Sequence, residues 1–152
     1  EKATATYHEG SVWTYAGNYD IALPCATQNE INGEAAKRLV AQGVICVSEG
    51  SNMPSDLDAI KVYKENGIFY GPAKAANAGG VAVSALEMSQ NSLRLSWTRE
   101  EVDGRLKDIM TNIFNTAKTT SETYGLDKDY LAGANIAAFE NVANAMIAQG
   151  IV

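Results

Sequence analysis

Residues 20–71, DIALPCATQNEINGEAAKRLVAQGVICVSEGSNMPSDLDAIKVYKENGIFYG, contain three short, evenly spaced apolar runs separated by two helical patterns. The runs occupy residues 20–24, 44–48 and 68–71. The central run does not alternate with polar residues, which is typical of a strand covered on both faces. An order of strand, helix, strand, helix and strand predicts a parallel sheet with right-handed crossovers.

Helix boundary signals lie between these strands. Asn32 can cap a helix that runs to about Gln42, and Gly43 follows just past its end. Residues 55–58 form the start of a second helix, and Gly67 is its predicted stop.

The chain after Tyr70 predicts long helices. A helix rich in small residues runs from Asn77 to about Leu95, and residues 98–101 form a capping box that begins the next helix. A last helix spans about 135–149. Apolar stripes at helical spacing predict the inward faces of the last two helices. The stripes are Val102, Leu106, Ile109, Met110, Ile113, Phe114 and Ala117, and then Phe139, Val142, Ala143, Met146 and Ile147.

The predicted fold class is therefore α/β, with a partial Rossmann-like parallel sheet of three or four strands followed by long C-terminal helices. Near the start of the chain, residues 3–7 are a possible strand and residues 12–15 a second extended piece. The abrupt opening suggests a piece of a longer polypeptide.

Composition and charge exclude several classes of function. The net charge is −6 and the lysines and arginines are scattered, which argues against a nucleic-acid partner. No run approaches the roughly 18–20 apolar residues of a membrane helix, and no signal peptide opens the chain, so no membrane association is expected. Cys25 and Cys46 predict buried free thiols in a reducing cytoplasm, and they are too few for a zinc site. His8 is expected at the surface.

The segments that follow the three strands are the candidate ligand site, because open parallel sheets bind ligands beyond the carboxyl ends of their strands. Residues 24–30, 49–54 and 71–80 are rich in small residues, amides and hydroxyls. Such groups suit a nicotinamide or a ribose better than a phosphate, because they offer paired donors and acceptors without charge. Alternatively, they are ordinary turn residues.

The third segment is the most distinctive. Asn77 can cap the long helix, and Gly79 and Gly80 would leave its first-turn amides open to a polar ligand. Ser84 lies one turn beyond Gly80 and either points the same way or is a packed helix serine. No general base, nucleophile, glycine-rich phosphate motif or metal cluster is recognisable. The residues alone indicate only a ligand-facing edge of a parallel sheet.

Several blocks at this edge resemble the hexameric bacterial glutamate dehydrogenases. They are residues 20–30, 49–54 and 74–91, and the ending from Gly133 to Gly150 is similar as well. The resemblance implies an enzyme that interconverts L-glutamate with 2-oxoglutarate and ammonia, using NADP, with NAD possible. It also implies a cytoplasmic homohexamer.

The resemblance further implies site roles. The turn formed by Cys25 and Ala26 would lie along the cofactor, Asn52 would contact the ribose on the nicotinamide side, and Asn77 would lie by the nicotinamide end. Ser84 would bind the side-chain carboxylate of glutamate. No catalytic residue is assigned in this chain, because the family's catalytic lysine and aspartate belong to a substrate domain that this chain does not match. No metal ligand is assigned either.

The chain is therefore interpreted as a C-terminal fragment of an NADP-dependent glutamate dehydrogenase. Residues 1–95 would form the second half of the nucleotide-binding domain, and residues 96–152 a helical segment packed on it as one unit. The fragment is expected to be inactive alone. There are two alternatives. The first is a non-catalytic module that binds a small ligand or drives oligomerisation. The second is a purely structural piece that associates through its sheet edge.

Overall fold

A computed structural model describes residues 6–150 of the chain. Three parallel strands, β1 (Ile21–Ala22), β2 (Cys46–Ser48) and β3 (Phe69–Gly71), form a sheet in the order β1-β2-β3. Helix α1 (Gly33–Ala41) connects the first two strands and α2 (Leu57–Glu65) connects the second and third. The prediction of an α/β fold with a parallel sheet is confirmed.

Four helices follow the sheet. They are α3 (Ala73–Ala76), α4 (Ala78–Leu93), α5 (Arg99–Thr123) and α6 (Tyr130–Gln149). Helix α5 packs along α6 and also contacts α4 and α3, while α6 contacts β3. The C-terminal helices therefore pack on the sheet region through α3, α5 and α6.

Local signals in the sequence set the helix ends. The Asn32 side chain accepts a hydrogen bond from the Ala35 amide at 2.9 Å, as predicted for the cap of α1. Thr98 and Glu101 form both hydrogen bonds of the predicted capping box of α5. Asp56 caps α2 by accepting from the Ala59 amide at 2.7 Å. Such caps satisfy amides that have no partner within the helix.

The hydrophobic core lies where α1 and α2 cover one face of the sheet. Val47 of β2 and Tyr63 of α2 are fully buried, and Ala22 and Tyr70 bring β1 and β3 into the same cluster. Successive residues of a strand point to opposite faces. A different space, an apolar cavity of about 460 Å³ between the sheet and α5, is accordingly lined by Cys46, Ser48, Phe69 and Gly71.

One prediction about local structure near the start of the chain is wrong. Residues 12–14 are not extended, because Ser11 accepts from the Trp13 amide and a single 3-10 turn forms over Val12–Thr14. The helix predicted from Asn77 to about Leu95 is confirmed as α4, but α3 precedes it directly, so Asn77 is a junction between two helices.

The possible strand at residues 3–7 lies largely outside the described residues. Its two described positions, Thr6 and Tyr7, belong to no helix or strand. The sheet of the described chain therefore consists of the three strands that the apolar runs predict.

The predicted inward face of the last helix is also wrong. Phe139, Val142, Met146 and Ile147 are 70%, 59%, 66% and 78% exposed. Only the first half of α6 lies in a packed position, around the buried Gly133. The stripe on α5 is better covered, but Phe114 is still 52% exposed. No surface within residues 6–150 covers the apolar face of α6.

Candidate functional site

The segments after the three strands meet at one edge of the sheet, as parallel strands require. The amides of Gly50 and Ser51, which follow β2, donate to the Pro24 carbonyl after β1 at 2.9 and 3.1 Å. The Asn29 amide donates to the Met53 carbonyl at 2.9 Å. The first two segments are therefore joined through their backbones, and their predicted convergence is confirmed.

The third segment joins them through one side chain. The side-chain nitrogen of Asn77, Nδ2, donates to the Asn52 side-chain oxygen at 2.9 Å and to the Ser51 carbonyl at 3.3 Å. Asn77 is half-buried and Asn52 is exposed. Two amides predicted to contact a cofactor thus lie in direct contact, and Asn52 still presents polar atoms to solvent.

The predicted capping role of Asn77 is wrong. Its side chain makes no capping hydrogen bond to α4, because its nitrogen is directed to the loop after β2. Its backbone carbonyl instead accepts from the Gly80 amide at 3.2 Å. Asn77 therefore ties the helix junction to the loop, and the Gly80 amide already has a backbone acceptor.

The turn containing Cys25 and Ala26 is held by a carboxylate. Glu30 accepts hydrogen bonds from the amides of Ala26 and Thr27 at 2.9 and 3.2 Å through Oε1. Cys25 is exposed and Cys46 is only half-buried, so the prediction of two buried thiols is wrong. A side chain at Gly50 would collide with the Cys25 sulfur, so the glycine permits the two loops to approach closely.

A second carboxylate joins the loop after β2 to the helix after β3. Glu49 is 2% exposed, and its two oxygens accept from the amides of Ser55 at 3.3 Å and Ala73 at 2.8 Å. A buried charge is stable only when it is well hydrogen-bonded. Glu49 therefore fixes the position at which α3 begins and, through this short helix, the position of Asn77.

Two tyrosines complete this buried network. Burial raises the pKa of Tyr63 to about 12. Burial also raises the pKa of Tyr70 well above its ordinary value, and the hydrogen bond and charge of Glu49 raise it further. Both phenols are therefore protonated at neutral pH. Their rings lie 5.5 Å apart, and the Tyr63 hydroxyl is 3.3 Å from that of Ser55.

Ser84 lies apart from this cluster. Its hydroxyl donates to the Gly80 carbonyl at 3.2 Å, and its side chain is exposed. It is seven residues beyond Asn77 on α4, which corresponds to about 10 Å along the helix axis. The structure therefore brings together Cys25, Ala26, Asn52 and Asn77, and leaves Ser84 two turns along the same helix.

Glu30 and Glu49 are the residues that sequence reasoning missed. Each is a lone acid in a segment otherwise made of small and uncharged polar residues. The position of Glu49 directly after β2 was a usable signal, because loop amides at a sheet edge need acceptors. The contacts of Glu30 with Trp13 and of Glu49 with Ala73 join distant segments, so these two pairings could not be read from local spacing.

An open cleft of about 1000 Å³ adjoins Asn52. Its walls include Asn29, Met53, Lys74 and Asn135, and Lys74 donates to the Asn135 side chain at 2.6 Å across its rim. In the described part of the chain, no group of three or more His, Cys, Asp or Glu side chains could hold a metal ion. No helix of residues 6–150 combines the length and apolar character needed to cross a membrane.

Comparisons with known proteins agree on one family. The family profile described as Glutamate/Leucine/Phenylalanine/Valine dehydrogenase matches residues 1–150. The NADP-specific glutamate dehydrogenase of Giardia intestinalis is 54% identical over 151 residues, covering 98% of this chain and 34% of that protein. The NAD(P)-specific glutamate dehydrogenase of Xylanibacter ruminicola is 59% identical over 133 residues, covering 87% of this chain and 30% of that protein.

A solved structure shows the same relationship. The glutamate dehydrogenase of Plasmodium falciparum superposes with a TM-score of 0.84 at 52% identity, covering 88% of this chain and 29% of that one. The chain thus spans about a third of the length of the relatives it matches. With its parallel sheet, its joined loops and this match over nearly its whole length, the chain belongs to the Glutamate/Leucine/Phenylalanine/Valine dehydrogenase family.

Proposed function

We propose that this chain forms the nicotinamide side of the cofactor cleft in an NADP-dependent glutamate dehydrogenase. The whole enzyme would oxidise L-glutamate to 2-oxoglutarate and ammonia, and catalyse the reverse reaction. One observation carries the proposal: Ala26, Asn52 and Asn77 come from three segments and lie at a single edge, where hydrogen bonds join those segments. Relatives named NADP-specific and NAD(P)-specific support NADP, with NAD as a second candidate.

The chemistry of this edge fits the nicotinamide half of a dinucleotide. Cys25, Ala26, Asn52 and Asn77 offer backbone and amide groups without charge, which match a carboxamide and ribose hydroxyls. The bound cofactor would supply the hydride acceptor for glutamate oxidation. The four residues would bind and orient it, and Ser84 would bind the side-chain carboxylate of the substrate.

The rest of the reaction would need groups from the remaining two thirds of the enzyme. We propose that residues 1–95 complete its nucleotide-binding domain and that residues 96–152 pack on them as one unit. The whole enzyme would be a cytoplasmic homohexamer. Proton transfer and substrate positioning would come from the other domain, so the isolated chain would not turn over substrate.

The test compares the isolated chain with a full-length enzyme that contains it. Reduction of NADP with glutamate, and oxidation of NADPH with 2-oxoglutarate and ammonia, are followed by absorbance. We expect turnover from the full-length enzyme and none from the chain alone, because general acid–base groups alone contribute about 10²–10⁴-fold. A full-length enzyme without glutamate-dependent turnover would refute the proposal.

Ser84→Ala tests the substrate role in the full-length enzyme. We expect the KM for glutamate to rise about tenfold, as for the loss of one hydrogen bond to a charged group, with a smaller change in the KM for NADP. Ser89→Ala is the matched control, because Ser89 makes the same kind of hydrogen bond to the carbonyl four residues earlier on α4. Equal effects of the two substitutions would remove Ser84 from the site.

A further inference from the structure

Trp13 lies in the segment that precedes the sheet and makes a polar contact with the candidate site. Its indole nitrogen donates to Glu30 Oε2 at 2.8 Å. The ring is half-buried and packs against the hydrophobic core. Trp13 is therefore held in place by packing, and its N–H fixes one oxygen of the carboxylate.

The other oxygen of Glu30 faces the predicted cofactor edge. Oε1 accepts from the Ala26 and Thr27 amides, and the Ser51 hydroxyl lies 3.5 Å from it. One carboxylate thus connects the 3-10 turn at Trp13 with the loops after β1 and β2. Because a carboxylate is planar, holding Oε2 also determines the direction in which Oε1 points.

We propose that Glu30 and Trp13 are positioning residues for the cofactor-binding turn formed by Cys25 and Ala26. The inference rests on the proposed function of this edge. Glu30 holds the turn amides through hydrogen bonds strengthened by its charge. Trp13 keeps the carboxylate in the orientation that those amides need. Neither residue is required to touch the cofactor.

The experiment uses Glu30→Gln, Trp13→Phe and the double variant in the full-length enzyme. Glutamine can keep an acceptor for the turn amides, but it places an NH2 group against the Trp13 N–H, so two donors face each other. We expect Glu30→Gln to raise the KM for NADP about tenfold, the equivalent of losing one charge-assisted hydrogen bond. The kcat at saturating cofactor and the KM for glutamate should change by less than about twofold.

The double variant supplies the decisive comparison. Phenylalanine has no N–H to oppose the glutamine. Adding Trp13→Phe to Glu30→Gln should therefore bring the KM for NADP below that of the Glu30→Gln variant and back towards the wild-type value. This non-additivity is expected only if the two side chains interact. Glu34→Gln is the matched control, because Glu34 is an exposed acid on α1 whose partner is Lys37. It should leave all kinetic constants unchanged.

The turn also has a readout that does not depend on catalysis. Cys25 is exposed in the turn that Glu30 holds, so its alkylation rate without cofactor should rise in Glu30→Gln and remain unchanged in Glu34→Gln. Wild-type enzyme without glutamate-dependent turnover would refute the proposed function. The alkylation rate of Cys25 would still show whether Glu30 holds the turn. Additive effects, or an unchanged KM for NADP and an unchanged alkylation rate, would overturn the positioning role.

Discussion

The two halves of the described chain differ in how completely they bury their apolar residues. Every buried hydrophobic residue except Ala117 lies between Ala22 and Tyr70. On α6, by contrast, Phe139 and Ile147 are 70% and 78% exposed. The sheet region therefore contains its own core, whereas the last helix has a regular apolar pattern without a covering surface in residues 6–150. An apolar stripe predicts a helix more securely than it predicts burial.

The largest expected effect contrasts an aromatic residue from each half. Tyr63→Ala should lower the free energy of unfolding by about 3–5 kcal/mol, because the ring is fully buried in the core. Phe139→Ala should change it by no more than about 0.5 kcal/mol, because that ring is exposed. Urea denaturation of both variants measures the difference. Similar losses would show that the two halves are equally well packed.

Close packing in the C-terminal half is concentrated at one helix crossing. A side chain at Gly133 would collide with the Ala117 carbonyl, so Gly133→Ala should destabilise the protein by about 3 kcal/mol. Gly104→Ala is the matched control on α5, because nothing lies within 4 Å of its added carbon. That change should stabilise the helix by up to about 1 kcal/mol. Thermal unfolding that ranks the two variants in the opposite order would contradict this crossing.

The buried carboxylate between the loops gives the next largest effect. Glu49→Gln keeps the shape of the side chain but replaces one acceptor oxygen with an NH2 group. That NH2 group would point at the amide of either Ser55 or Ala73, so two donors would face each other. We expect a loss of about 2 kcal/mol in the free energy of unfolding. Glu87→Gln, at an exposed position on α4, should be nearly neutral. Equal stability of the two variants would mean that Glu49 does not fix the start of α3.

The sequence predicted the sheet region well because its signals are local. The cap at Asn32 is satisfied within three residues, and the parallel sheet follows from the alternation of strands and helices. The meeting of the loops also follows, since parallel strands end at one edge. The sequence could not predict the contacts of Glu30 with Trp13 and of Glu49 with Ala73, nor the side chain of Asn77 turning to Ser51, because these contacts join distant segments.

The smallest expected effect concerns the ion pair that joins the two halves. Lys64 on α2 donates to Asp129, the cap of α6, at 2.8 Å. Burial opposes ionisation of Asp129, but the hydrogen bonds from Lys64 and the α6 amides leave its pKa below the ordinary value of 3.8. Its stabilising contribution should therefore be complete above that value and decline as the pH falls through the lowered pKa.

Asp129→Asn isolates this contribution, because asparagine can still cap a helix while losing the charge. At neutral pH the wild type should be more stable than the variant by about 0.5–1 kcal/mol, since the lysine side chain is 47% exposed and the pair is screened by solvent. This difference in the free energy of unfolding should narrow as the solution is acidified below the ordinary aspartate pKa. A gap that stays constant down to the most acidic pH would mean that the charge of Asp129 does not hold the two halves together.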